Sequence, residues 1–219
     1  MDIGFLRESI PLYVDAAILT LRVGVFGILV SLLVGVLCAS AQYLRVPVLR
    51  QIVGVYIELS RNTPLIVQLF FLYFGLPRLG IVMSSETCAI IGLAFLGGSY
   101  MAEAFRAGLN SIEPIQFSSA LAIGMSRGQA MRAVLLPQAL AGAMPALTAN
   151  TIFLVKEISV VSVVALPDLV YVAKEQIGNT YNTTEALALL VSAYLVILLP
   201  ISLGARLLEK KVRFAQYGS

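Results

Sequence analysis

No histidine and no tryptophan occur in this chain, cysteine occurs twice, and charged residues make up only 12% of the 219 positions. The two cysteines, Cys38 and Cys88, both lie inside apolar runs, so neither a disulfide framework nor a histidine-containing metal site is predicted. Soluble domains carry about 25% charged residues. With 59% hydrophobic residues, the chain has more apolar surface than one water-soluble core can bury. The bilayer is therefore predicted to be its solvent.

The apolar residues fall in blocks separated by polar stretches, and a helix needs about 20 residues to cross a hydrocarbon layer of about 30 Å. The predicted architecture is one all-α integral membrane domain over residues 1–219. Pro64 marks the start of a short second span, which an interfacial helix precedes. Arg22, near the outer end of the first span, is expected to reach the lipid headgroups. The predicted transmembrane spans cover about 16–41, 64–77, 87–105, 140–165 and 186–208.

Lysine and arginine are distributed unevenly between the two alternating sets of loops, and short cytoplasmic loops retain positive charge. This asymmetry places the amino terminus and residues 167–184 outside, and residues 106–137 and the carboxyl-terminal tail in the cytoplasm. Because the basic residues are scattered, no nucleic-acid interface is predicted. The first span lacks the flanks of a cleaved signal peptide and is expected to act as signal and anchor. The richer set holds Arg45, Arg50, Arg61, Arg106, Arg127, Arg132, Arg206, Lys210, Lys211 and Arg213, and the poorer set holds Arg7, Arg78 and Lys174.

Residues 106–137 form the long polar stretch of the chain, and its punctuation predicts two short helices. Pro114 suits the first turn of a helix that reaches Ile123, and Gly124 suits its carboxyl end. Ser126 and Gln129 have the spacing of a capping box that starts the second helix. Two helices joined at a glycine form a compact knob that suits docking to a partner subunit. The alternative is an amphipathic loop that lies on the membrane surface.

The same stretch resembles the EAA loop of bacterial ABC importer permeases, in which Glu-Ala-Ala precedes a glycine and a Leu-Pro pair at fixed spacing. The glycine and the Leu136-Pro137 pair match, whereas serine replaces the glutamate and the first alanine. The resemblance implies a loop that docks on an ATPase, with a weaker ion pair where the glutamate is missing. The positions to which it assigns ATPase coupling are Gln116, Ser118, Ser119, Ala120, Leu121, Gly124, Met125 and Ser126.

Residues 58–77, ELSRNTPLIVQLFFLYFGLP, resemble the hallmark of polar amino acid permeases, the group that contains the histidine and glutamine importers. Residues 99–108 and the KEIS run at 156–159, where that group usually has KDTS, extend the likeness. The resemblance implies a subunit of the bacterial cytoplasmic (inner) membrane with no cofactor of its own. It also implies two ABC ATPase subunits that carry ATP and Mg, a substrate-binding protein, and a second permease that is either identical or homologous.

Charged side chains at membrane depth are costly, so Lys156 and Glu157 in the fourth predicted span are functional candidates. They lie about 100° apart on a helix, and Asn150 shares the face of Glu157. In one interpretation Lys156 faces a substrate carboxylate and Glu157 faces an amino group or a cationic side chain; in the other, the pair neutralises itself or neighbouring spans. Gln68 must bond either backbone or a zwitterionic ligand. The predicted substrate contacts are Gln68, Asn150, Lys156, Glu157 and Ser159.

The sequence contains no Gly-x-x-x-x-Gly-Lys-Ser/Thr motif, so ATP hydrolysis is assigned to another chain and no catalytic residue is predicted. Two other function classes have weaker support in the sequence. Lys156 and Ser159, three residues apart, have the spacing of a nucleophile and base in an intramembrane enzyme, but nothing nearby suggests an oxyanion site. A secondary transporter is disfavoured because no internal repeat is detectable.

Overall fold

The computed structural model describes the backbone of residues 3–43 and 47–217, and the side chains of residues 4–43 and 47–212. These residues are helical almost throughout, with no β-strand among them. A π-helical turn and a 3₁₀ turn extend α3 to Leu79, a π-helical turn joins α6 to α7, and a 3₁₀ segment, Ile158–Val164, continues α7. The helices are α1 (Ile3–Tyr43), α2 (Pro47–Arg61), α3 (Leu65–Phe70), α4 (Ser85–Asn110), α5 (Pro114–Ala122), α6 (Arg127–Ala130), α7 (Leu136–Glu157), α8 (Leu169–Thr180) and α9 (Thr183–Tyr217).

Four helical segments of the described chain are long and apolar enough to cross a membrane: Gly4–Tyr43, Ser85–Asn110, Arg127–Val164 and Thr183–Val212. The segment that corresponds to the second predicted span, Leu65–Leu79, is apolar but shorter. The fold is therefore an all-helical membrane fold built on four long apolar helices and one short apolar helix.

Helix α4 is the centre of this fold and packs between α1 and α7. In the most apolar stretch of α4, 67% of the residues are buried, whereas the corresponding share in α9 is 11%. Small residues let the backbones approach closely, as is common where membrane helices meet. A Cβ atom on Gly97 would collide with the Ser31 side chain, and one on Gly108 would collide with the carbonyl oxygen of Ala139. The contacts α1–α4 and α4–α7 are therefore fixed by glycines of α4.

Helix α2 presents an apolar face outward and is fastened to α4 by its other side. Val48, Ile52, Val55 and Leu59 are all exposed. They recur at intervals of three and four residues, which is the pattern of a helix that lies in a membrane interface. On the inner side the Tyr56 hydroxyl donates to the Phe95 carbonyl oxygen at 2.7 Å.

Cys38 and Cys88 are both buried, as the sequence predicts. The Nη2 atom of Arg22 lies 2.6 Å from the Oε2 atom of Glu86 at the start of α4, a partner 64 residues along the chain that the sequence did not indicate. The contact of Arg22 with the headgroups stays a prediction. Arg45 and the side chain of Arg213, which were counted for orientation, lie outside the described residues.

Candidate functional site

The polar edge of α7 carries the first candidate site. Helix α7 ends at Glu157, and the chain then tightens into the 3₁₀ segment that contains Ser159. Ile158, Val161 and Val164 are buried, and their spacing of three matches the three residues per turn of a 3₁₀ helix. The tighter segment thus keeps one apolar stripe against the core. Lys156 and Glu157 sit at the point where the helix changes its pitch.

Neither charge of the Lys156–Glu157 pair is neutralised within the described chain. Lys156 is exposed and Glu157 is half-buried. No described side chain of opposite charge lies within ion-pair distance of either of them, and the two do not pair with each other. The structure therefore does not support self-neutralisation of this pair.

The exposed face of α7 on which Lys156 lies differs from the faces that α1 and α9 expose. Pro145 and Ala149, which precede Lys156 by 11 and 7 positions on the same helical face, are small and also exposed. Helices α1 and α9 instead expose bulky apolar side chains, such as Leu33 and Leu203, as a lipid-facing helix does. The Lys156 face therefore does not have the character of a lipid-facing surface.

Asn150 and its neighbours join α7 to α4. The Asn150 amide nitrogen donates to the Tyr100 carbonyl oxygen at 3.0 Å, so its donor is partly used within the chain. The rings of Tyr100 and Phe153 lie 5.3 Å apart, and the Arg61 guanidinium lies 5.2 Å from the centre of the Tyr100 ring. Phe153 is four residues before Glu157 on the same helical face. A strip of polarisable and charged groups thus leads from Arg61 to Glu157.

Two arginines share the carboxylate of Glu103 at the Arg61 end of this strip. Arg106 and Glu103 form a two-point contact, with distances of 3.1 Å and 2.5 Å. The pair has the i, i+3 spacing that brings two side chains together on one face of a helix. Arg61 lies 3.9 Å from Glu103 on α4 and does not pair with Glu58, which is three residues before it in the chain. Glu58 instead accepts a hydrogen bond from Asn62 at 3.1 Å.

Gln68 holds the elbow between α2 and α3. Its amide nitrogen donates to the carbonyl oxygens of Ser60 and Thr63, both at 3.1 Å, which satisfies two carbonyls at the end of α2. Its Oε1 atom is buried and accepts no hydrogen bond. Helix α3 packs against the 3₁₀ segment that contains Ser159. The donor half of Gln68 is therefore structural, and its buried acceptor oxygen has no hydrogen-bond partner in the described chain.

The knob of α5 and α6 carries the second candidate site, and its local geometry agrees with the sequence prediction. Helix α5 starts at Pro114, and Gly124 has a φ of +87°. The Gly124 amide donates to Leu121 at 3.0 Å and the Met125 amide donates to Ala120 at 3.2 Å, the pair of bonds that defines a Schellman motif. At the start of α6 the Ser126–Gln129 capping box is present, with bonds of 2.8 Å and 3.3 Å. Both predicted helix boundaries are thus confirmed.

The surface of the knob carries large exposed apolar side chains. Ile123 is 80% exposed and Ile115 is 60% exposed. Ala120 is buried, and Ser118 bonds only weakly to Pro114, at 3.4 Å. Exposed apolar side chains of this size suit contact either with a partner subunit or with the membrane surface. Ile115 and Ile123 were missed in the sequence, although they flank the predicted coupling residues. The predicted coupling positions Gln116, Ser119, Leu121 and Ser126 are likewise exposed.

Asp168 is a buried charge that the sequence did not mark. It is fully buried, and its carboxylate caps α8 by accepting from the amides of Tyr171 at 3.0 Å and Val170 at 3.3 Å. Burial raises the pKa of this carboxyl to about 6, against the opposing effects of the two amide hydrogen bonds and of Lys174. The described residues contain no group of three or more metal-ligating side chains.

The chain combines several long apolar helices with an exposed charged edge on α7 and a capped knob of two short helices, the arrangement of a polytopic membrane protein. A family model described as the inner membrane component of binding-protein-dependent transport systems matches residues 31–214. The match covers more than half of the chain, and the chain belongs to this family. It is thus a multi-pass, non-enzymatic permease subunit of the bacterial inner membrane, and the intramembrane enzyme alternative falls away.

Individual relatives and solved structures narrow the similarity further. The chain is 32% identical to a probable amino-acid ABC transporter permease protein, PatM, of Vibrio harveyi, over 93% of this chain and 94% of that protein. It is 30% identical to the arginine transport system permease protein ArtQ of Bacillus subtilis, over 97% and 98% of the two chains. A crystal structure of an amino acid ABC transporter with histidines superposes with a TM-score of 0.89 at 31% identity, covering 96% of this chain and 99% of that one.

Proposed function

We propose that this permease carries a polar amino acid across the membrane and that the substrate contacts the charged edge of α7. The single observation that carries the proposal is the Lys156–Glu157 pair, which lies inside an apolar span without a partner in the described chain. Lys156 would face the carboxylate that all amino acids share, and Glu157 would face an ammonium or a cationic side chain. The arginine and amino acid relatives support this substrate class.

Gln68, Asn150 and Ser159 are proposed to complete the substrate contacts in unequal ways. The free acceptor of Gln68 is its Oε1 atom, which suits an ammonium donor. The Asn150 amide nitrogen already bonds Tyr100, so its remaining oxygen is the group available to a ligand. The Ser159 carbonyl oxygen accepts a hydrogen bond from the Ser162 hydroxyl at 3.4 Å, and the Ser159 hydroxyl is the group proposed to contact the ligand.

The proposed topology has five spans, with the amino terminus outside and the carboxyl terminus in the cytoplasm. The short apolar helix Leu65–Leu79 is the fifth crossing element. Bilayer thinning and flanking contacts accommodate short spans at modest cost. The arginine-rich loops, which include the α5–α6 knob, then face the cytoplasm.

The knob is proposed to dock on an ATPase. Its exposed isoleucines would enter an apolar groove, while the Schellman turn at Gly124 fixes the angle of α5. Two ATPase subunits, which carry ATP and Mg, would move two permease chains in this way. The second permease is either another copy of this chain or a homologue. A soluble binding protein would deliver the amino acid from outside.

The deciding experiment changes the two charges and measures ATP-driven uptake in vesicles that contain the assembled transporter. Lys156→Met should reduce uptake of both a cationic and a neutral amino acid, because both carry the carboxylate. Glu157→Gln should reduce uptake of the cationic substrate most. The double variant should lose uptake while it remains folded and bound to its ATPase.

A matched control is available within the chain. Lys174 and Glu175 form another adjacent pair of the same two residue types, but they are exposed on α8 and outside the long apolar helices. Lys174→Met with Glu175→Gln should leave uptake near the wild-type rate at equal membrane abundance. Normal uptake by the Lys156–Glu157 double variant would refute the substrate-site proposal.

A further inference from the structure

A polar cleft of about 990 Å³ lies between the inner end of α1, α2, the end of α4 and the α5–α6 knob. It is separate from the Lys156–Glu157 edge, since no residue of α7 lines it. Its charged and amide side chains come from three different elements besides α1. Those that matter for its chemistry are Arg50, Glu58, Glu103, Arg106, Asn110 and Arg127.

The positive charges of the cleft are not balanced by its carboxylates. Glu103 is already bound by Arg106 at 2.5 Å and lies 3.9 Å from Arg61. Glu58 is hydrogen-bonded to the Asn62 amide. Among the described residues, no carboxylate lies within ion-pair distance of Arg50 or Arg127. Two guanidinium groups on separate elements thus remain open to an external anion, and such groups bind phosphate through paired hydrogen bonds.

An apolar track leads from the cleft along α1. Tyr43 and Ala39 line the cleft, and Val36, Leu33 and Leu29 continue the same side of α1 at intervals of three and four residues. These three are exposed by 44%, 60% and 57%. A ligand with a phosphate head and long apolar tails matches both parts, whereas a free phosphate matches only the head.

We propose that this cleft binds the phosphate group of an anionic phospholipid from the cytoplasmic leaflet, with the headgroup at Arg50 and Arg127 and the acyl chains along α1. Basic pockets between membrane helices on the cytoplasmic side are typical headgroup sites. The assignment of the leaflet rests on the proposed topology, but the binding itself does not. Because Arg127 opens α6, the lipid would tie the interfacial helix α2 to the knob.

Native mass spectrometry of the complete transporter tests the proposal by titration with phosphatidylglycerol and with phosphatidylcholine. Arg50→Gln and Arg127→Gln should each weaken phosphatidylglycerol binding about fivefold, as expected for one basic contact near a lipid surface. The double variant should lose the product of the two factors, because the residues lie on separate elements. Arg206→Gln, an exposed arginine of α9 outside the cleft, should bind like the wild type.

Lysine variants separate a loss of charge from a loss of fold. Arg50→Lys and Arg127→Lys should retain most of the binding, whereas a folding defect would give the same loss for both kinds of substitution.

Equal affinity for the two lipids, or no change in the double glutamine variant, would overturn the proposal. Displacement of the lipid by millimolar inorganic phosphate would identify a soluble phosphate site instead. Displacement of the lipid by the transported amino acid would instead identify the cleft as the end of the substrate pathway from which the amino acid is released. Uptake by the wild type in phosphatidylcholine alone would test the proposed transport function separately.

Discussion

Gly124 gives the sharpest test of the knob, because another glycine four residues later serves as its matched control. A Cβ atom would meet nothing within 4 Å at either Gly124 or Gly128. The two positions differ in backbone conformation, since Gly124 has a φ of +87° and Gly128 lies within α6. Alanine at Gly124 should therefore destabilise the end of α5 by about 1–2 kcal/mol. Alanine at Gly128 should stabilise its helix by up to about 1 kcal/mol.

Hydrogen exchange of the peptide that spans α5 and α6 measures this difference directly in the purified transporter. The amides of residue 124 and Met125 close the Schellman motif. In the Gly124→Ala variant their protection should fall by roughly 5–30-fold, the factor that corresponds to such a free-energy change. In the Gly128→Ala variant it should stay equal or rise. ATP-driven uptake should fall in Gly124→Ala and further in Gly124→Val, because a branched side chain disfavours a left-handed conformation more. Unchanged protection at Met125 in both Gly124 variants would refute the reasoning.

Three further outcomes are expected. Gly97→Ala should lower the free energy of unfolding by about 1–3 kcal/mol, because the added Cβ atom overpacks α4 against α1. Thermal unfolding should show this loss for Gly97→Ala and not for Gly204→Ala, where a Cβ atom has open space. Asp168 binds a proton more readily in the folded protein than in the unfolded chain, because its pKa is raised to about 6. Its contribution to the free energy of unfolding should therefore grow as the pH falls from 7 through 6 toward 4. Asp168→Asn keeps the helix cap and should lack that part of the pH dependence. Ser118→Glu should maintain or tighten ATPase binding in a pull-down assay, and a large loss would mean that the contact is built around a small residue.

The long helices and the knob follow from local rules, and these were the parts that the sequence predicted well. Apolar length determines the membrane helices, and Pro114, Gly124 and Ser126 mark helix ends through their own backbone chemistry. Each of these signals acts over a few residues. The resemblance to polar amino acid permeases added the functional class, which no local rule supplies.

The side-chain partners were less predictable because they come from distant parts of the chain. Arg61 binds Glu103 and not its neighbour Glu58, since the elbow after α2 turns it toward α4. The Gln68 amide nitrogen donates to two carbonyl oxygens of the same elbow. Helical periodicity could not predict these partners, because it describes only the face on which a residue lies. The change from α to 3₁₀ geometry after Glu157 is equally non-local, because the buried Ile158 packs close to Gly24 of α1.

The length of α1 has a mechanical consequence. The helix runs for 41 residues without interruption, and at about 1.5 Å per residue it is roughly 60 Å long, about twice the hydrocarbon thickness. Its amino-terminal part is joined to the start of α9 by the Tyr13 hydroxyl, which donates to the Ala186 carbonyl oxygen at 2.9 Å. In a rigid helix of this length, a tilt of about 10° around the carboxyl-terminal end displaces the amino-terminal end by roughly 10 Å. A small rotation at one end of α1 therefore produces a large displacement at the other end.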